Sequence, residues 1–339
     1  QSAQKNNSYS LLILGNFYYF GHMFKQDYLK AKEKYELSAR LNNSIALLML
    51  GLLYYNGYGV EQNYTKAKEY FELSSKYNNP YAMLYLGNMY CFGYGVEIDY
   101  KKARGYFEEA SIQNNLHALI YMGHLYYFGL DVHRDVTKAK EFYERSAIKE
   151  NPESLFILGN LCCLYDDYSK ADFSKAILYY KISANKNYSK AQLILGSIYY
   201  FGCDVVKDYV IAKSLFELSV QQNNYNAYFM LGNIYYGDQN YVEARKFYEI
   251  ASDNGNLYAS FMLGNIFYFG YGVEEDHEKA LKYFESSVKK LNSYSLFMIG
   301  NIYYFGSGVE KNYDKAKKYF ELSSQYKNSN ALFHLGNMY

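Results

Sequence analysis

A glycine preceded by a large aliphatic residue returns ten times along this 339-residue chain: Gly15, Gly51, Gly87, Gly123, Gly159, Gly196, Gly232, Gly264, Gly300 and Gly336. The nine intervals are 36, 36, 36, 36, 37, 36, 32, 36 and 36 residues. A period in the mid-thirties is the length of one helix–turn–helix unit, which cannot bury its apolar face alone and must stack on its neighbours. The repetition covers the chain without a linker. The expected fold is therefore all-α: a right-handed α/α superhelical solenoid of about nine repeats of ~36 residues, with residues 1–339 as one continuous array.

The punctuation marks two helices per repeat. Eight residues before the glycine stands Asn in nine of ten repeats: Asn7, Asn43, Asn79, Asn115, Asn151, Asn224, Asn256, Asn292 and Asn328. Asparagine caps helix N-termini because its side-chain oxygen accepts from a free first-turn amide. Both prolines of the chain, Pro80 and Pro152, directly follow such an asparagine, and proline favours the first helical position. The first helix of each repeat, helix A, is expected to start there. Helix B is marked by an alanine (Ala31, Ala67, Ala103, Ala139, Ala176, Ala212, Ala244, Ala280, Ala316). Asp or Asn stands four residues before it as N-cap, and Tyr or Phe four residues after. That i,i+4 pair shares one face and is expected to pack inward. Lys and Glu, as in Lys66, Lys68, Glu69 and Glu72, are expected on the opposite, solvated face.

Between the helices runs a turn, clearest as Gly57-Tyr58-Gly59-Val60. Its first glycine is expected to end helix A in a left-handed conformation, and its valine to return to the core. Asp131 and Asp204 replace the second glycine in two repeats. The turn after Gly159 (Tyr165–Ala171) lacks glycine and is one residue longer, and the turn at Gly237–Gln239 is four residues shorter.

With Ala82, Leu86, Gly87, Tyr90, Gly93, Gly95, Val96, Asp99, Lys102, Ala103, Tyr106, Phe107 and Ala110 in place, the repeat resembles the Sel-one-like repeat, a relative of the tetratricopeptide repeat. The resemblance spans the full chain. It lacks the cysteine pair per repeat of the secreted members. It implies an adaptor that holds a protein or peptide partner, and it carries no catalytic residues.

Composition narrows the function classes. A net charge of +1 with 20% charged residues argues against a nucleic-acid-binding surface, which needs a cationic excess. The glycine turns are not phosphate loops: no strand precedes them and no Gly-Lys-Ser/Thr follows. His117, His124 and His133 share one repeat, but two at loose helical spacing with no companion ligands make no metal site. No cofactor, metal or catalytic group is expected, and no apolar run reaches the ~18–20 residues of a membrane span. Four cysteines without pairing or metal spacing point to a reducing compartment, the cytoplasm or nucleus. The chain starts at Gln1 without a leader, so secretion stays open. Tyr numbers 46 and Trp 0. The joint excess of Asn, Lys, Tyr and Ile also fits an AT-rich genome, so the tyrosines need not be functional.

A candidate binding surface follows from helical geometry. Stepping about 100° per residue from the small residue five before the glycine, one stripe falls at about 180–240°, opposite the core. In the C-terminal half it reads Phe229, Asn233, Tyr236; Phe261, Asn265, Tyr268; Phe297, Asn301, Tyr304; and Phe333, Asn337. Amides donate and accept at once, so an asparagine row beside a phenylalanine row suits an extended peptide on a concave helix-A surface. The same residues also fit asparagines that bond neighbouring helices and phenylalanines that fill the core. The first and last helices lack polar capping repeats. That predicts a segment excised from a longer array, or self-association through the uncapped ends. A repeat region of a larger signalling or enzyme-regulatory protein, with its active domain elsewhere, is the alternative reading.

Overall fold

A computed structural model describes residues 2–163, 172–288 and 293–338. Nineteen α-helices run through them, and no strand occurs among the described residues. The helices group into two compact units, residues 1–158 and 159–339. Within each, a helix A packs on its own helix B and the helix B on the next helix A.

All nine expected helix-B caps form. Asp27, Asn63, Asp99, Asp135, Asp172, Asp208, Asn240, Asp276 and Asn312 each accept from a first-turn amide. Among the helix-A caps, Asn43, Asn79, Asn115, Asn151, Asn256 and Asn328 accept likewise. Two expectations fail. Asn7 lies inside α1 (Ser2–Phe20); the helix runs through that position, which leaves no free first-turn amide there to cap. Asn224 has extended backbone but makes no capping bond; its Nδ2 donates instead to the Ser189 carbonyl, 3.4 Å away. Asn292 and the segment 165–171 lie outside the described residues.

The period glycines sit where their spacing predicts, against the helix-B aromatic. A Cβ on any of Gly15, Gly51, Gly87, Gly123, Gly159, Gly196, Gly232, Gly264 or Gly300 would come within 3.0 Å of the ring of Tyr35, Phe71, Phe107, Tyr143, Tyr180, Phe216, Tyr248, Phe284 or Phe320 respectively. Each of these rings is buried with the alanine four residues before it. The turn glycine Gly57 is left-handed at φ 73°, and the amide of Tyr58 closes back on the Leu53 carbonyl. Val60, Val96, Val273 and Val309 pack against the core clusters.

Two ladders tie the stacked helices together, one within repeats and one between them, and periodicity alone predicts neither. In four repeats a serine seven residues after the helix-B alanine donates to a backbone carbonyl of the same repeat's helix A: Ser38 to Ser8, Ser74 to Ser44, Ser219 to Ser189 and Ser323 to Ser293, at 2.7–2.8 Å. The cap asparagine then reaches the same level with its free amide, as Asn79 to Ser44 and Asn328 to Ser293. The residue before the cap (Asn42, Asn78, Asn114, Asn223) adopts positive φ, which asparagine tolerates better than most.

Many of the tyrosines serve the packing of the repeat. In several repeats the aromatic three after the glycine stacks on helix B, as in Tyr54–Tyr70, Tyr90–Tyr106 and Tyr303–Tyr319. The lysine before the helix-B alanine lies over the same ring, as Lys66 on Tyr54 and Lys315 on Tyr303.

Candidate functional site

The helix-A faces of the second unit carry the expected residues, but not as one open stripe. Phe229, Phe261 and Phe297 are half-buried, their rings 5.9 Å from those of Tyr248, Phe284 and Phe320. Tyr236, Tyr268 and Tyr304 lean on the first residue of helix B: Tyr241 at 5.1 Å, His277 at 5.0 Å and Tyr313 at 5.4 Å. Burial raises the phenol pKa of Tyr236 and of Tyr268, so both stay neutral. Phe333 and Asn337, on α19 (Ser329–Met338), are exposed.

The asparagines divide into two kinds. The Tyr248 hydroxyl donates to Oδ1 of Asn233 at 2.8 Å, so that carbonyl is committed to the fold. Asn265 and Asn301 stand opposite Phe284 and Phe320, which have no hydroxyl. The Oδ1 of Asn301 is enclosed and unpaired, as is that of Asn88 opposite Phe107. The ladder is therefore structural at Asn233 and retains unspent hydrogen-bonding capacity at Asn301.

A second row of exposed apolar residues lies about 40° beyond the edge of that stripe, further round helix A. The residue just before the turn, Phe20, Phe92, Phe128, Phe201, Phe269 or Phe305, is 48–63% exposed. Tyr81, Tyr258 and Tyr294, eleven residues earlier in their helices, are also exposed and share that face. A Phe directly before the turn glycine is the sequence signal for this row, and it falls outside the angular window that defines the asparagine stripe.

These faces are electrically blank. α13 (Tyr225–Gly237), α15 (Leu257–Phe269) and α17 (Ser293–Phe305) contain no charged residue. Charge is concentrated on the helices B, as in Lys68–Glu72 and Arg245–Glu249. In the first unit, His124 takes the asparagine position, its Nδ1 2.8 Å from the Tyr143 hydroxyl. Burial lowers its pKa below 6.5. Cys91 is half-buried and burial raises its thiol pKa, which suits packing rather than nucleophilic attack.

The family is settled by how much of the chain its repeat covers. The Sel1 repeat matches nine times, at residues 8–43, 44–76, 80–115, 116–151, 152–188, 189–224, 226–256, 257–290 and 293–325. The chain belongs to the Sel1-repeat family. Among solved structures, a protective antigen of uropathogenic Escherichia coli strains displaying an SLR fold is 25% identical with a TM-score of 0.60, covering 99% of this chain and 80% of that one. A Sel1 repeat protein from Oxalobacter formigenes is 21% identical with a TM-score of 0.61, covering 91% of this chain and 90% of the other. No curated protein matches the sequence. Sel1-repeat proteins are generally protein-interaction scaffolds, on a fold that is generally non-catalytic. No described helix of this Sel1-repeat chain is long and apolar enough to cross a membrane.

Proposed function

We propose that this chain is a non-enzymatic adaptor whose helix-A faces in residues 225–338 hold an extended, uncharged segment of a partner protein. The observation that carries the reading is the union of three features on uncharged helices: amides at Asn265 and Asn301 opposite rings that cannot bond them, half-buried rings at Phe261 and Phe297, and exposed rings at Phe269 and Phe305. The Nδ2 of such an amide can donate to a carbonyl of a peptide backbone. Aromatic side chains give large contact area at low entropic cost. The absence of Lys and Arg from these helices favours protein over nucleic acid as partner.

The test is calorimetry with a partner isolated by affinity capture, comparing the chain with the Asn265→Ala/Asn301→Ala double variant. Affinity should fall by about 2 kcal/mol, taking ~1 kcal/mol per hydrogen bond, while the helical circular dichroism stays unchanged. Undiminished affinity in the folded variant would overturn the reading.

A further inference from the structure

Three times in the described chain a turn tyrosine completes a cluster of three rings. Tyr58 stacks on Tyr28, the first residue of the preceding helix B, at 5.1 Å, and meets Tyr19 at 6.3 Å. Tyr94 does the same on Tyr64 (5.6 Å) and Tyr55 (5.8 Å). Tyr271 does so on Tyr241 (4.9 Å) and Tyr236 (6.0 Å). The next glycine lets the turn backbone settle on the same residue: a Cβ on Gly59 would lie 2.6 Å from Cβ of Tyr28, and one on Gly272 3.1 Å from Cβ of Tyr241.

α11 (Ser189–Phe201) and α12 (Tyr209–Val220) present the first two rings of such a cluster without the third. Tyr200 meets Tyr209 edge-on at 5.4 Å, as Tyr19 meets Tyr28 at 5.3 Å. The turn that would bring the third ring is the one shortened by four residues. It closes at once, with the Asn240 amide on the Tyr235 carbonyl at 2.9 Å. An open cavity of about 730 Å³ remains, lined by Tyr200, Tyr209, Val210, Lys213, Asn233 and Asp238 among others. Tyr209 is 54% exposed, whereas Tyr28, Tyr64 and Tyr241 are half-buried under their turns.

We propose that this cavity receives a tyrosine carried on a glycine-flanked turn of a partner protein. The occupant is specified by the chain's own repeats, which fill the equivalent place with such a turn three times. The partner would restore the missing ring against Tyr209 and Tyr200, an arrangement in which offset and edge-on aromatic contacts are favourable. Lys213 and Asp238 at the rim offer a donor and an acceptor to its backbone. The proposal shares with the previous section only the premise of a protein partner; it does not need the row of Asn265 and Asn301.

The probe is the capped tetrapeptide acetyl-Gly-Tyr-Gly-Val-amide, titrated into the isotope-labelled full chain. Saturable shifts are expected at the backbone amides of Val210, Ser214 and Asp238, and none with Ala in place of the peptide's Tyr. Reading these amides separates the cavity from Tyr313, whose ring also has no turn above it among the described residues. Tyr209→Ala should weaken the response by about tenfold or more. Replacing residues 237–239 by the sequence of residues 56–62 should abolish it and raise the melting temperature, because the chain then fills its own cavity. Absence of saturable shifts, or their persistence in the folded turn-restored variant, would overturn the proposal. The Asn265→Ala/Asn301→Ala variant should keep the probe response, so failure of the helix-A row and failure of the cavity are told apart.

Discussion

The hydroxyl of Tyr248 and the carbonyl oxygen of Asn233 are joined by a 2.8 Å hydrogen bond across helices B and A of one repeat. Tyr35 and Asn16 repeat it, as do Tyr180 and Asn160. Where Phe replaces Tyr, the amide oxygens of Asn88 and Asn301 are left enclosed and unpaired, and one repeat avoids the conflict by placing Leu52 beside Phe71. A single oxygen atom on helix B thus decides whether a helix-A amide belongs to the fold.

Exchanging that oxygen should move stability in opposite directions. Tyr248→Phe strands the Asn233 carbonyl and should cost about 1–3 kcal/mol. Phe320→Tyr offers Asn301 the missing donor and should stabilise by about 1 kcal/mol. Urea unfolding of both variants checks this; equal shifts of the same sign would contradict it.

Glycine at the ring contact is a steric requirement, and the chain contains its own control. Gly87→Ala should destabilise by about 1–3 kcal/mol through overpacking against Phe107, and Gly87→Leu by more. A Cβ on Gly336 would meet nothing within 4 Å, so Gly336→Ala should be neutral or stabilise by about 0.5–1 kcal/mol through helix propensity. Melting temperatures of the pair give the answer.

The serine ladder should matter in the repeats that carry it. Ser74 is buried and its hydroxyl donates to the Ser44 carbonyl at 2.7 Å, thirty residues back. Ser74→Ala should lower stability by about 1 kcal/mol. Hydrogen exchange should quicken first at the junction between α3 (Ser44–Asn56) and α4 (Tyr64–Lys76). Unchanged exchange there would remove the ladder's claim to hold helix B on helix A.

His124 should make the first unit sensitive to mild acid. Burial holds its folded pKa below the ordinary 6.5, with Glu153 opposing weakly. The unfolded chain therefore takes up the proton first. The stability at stake is intact above the unfolded value and is lost as pH falls from there toward the folded one. Unfolding midpoints measured at about pH 7.5 and about pH 5.5 should differ. His124→Asn, which recreates the Tyr–Asn pair found at Tyr248 and Asn233, should shrink the difference. An equal acid response in the variant would place the titration elsewhere.

The repeat, most helix boundaries and the face each helix buries are legible in the order of residues alone. They are written in contacts three or four residues apart: the Asp99 carboxylate capping the Lys102 amide, Ala103 beside Phe107, and a glycine wherever a ring must lie against helix A. Other features depend on partners 15 to 35 residues away, and these became visible only once the helices were stacked. Asn233 and Asn301 occupy the same place in the repeat, and the hydroxyl on Tyr248, absent from Phe320, gives them different roles. The turn at 237–239 reads as a tolerated deletion. Its consequence, a bare Tyr209 and a cavity, falls on the preceding repeat, because each turn packs on the helix B before it. Stacking carries the effect of a residue across the repeat boundary, and one-dimensional spacing does not record where it lands.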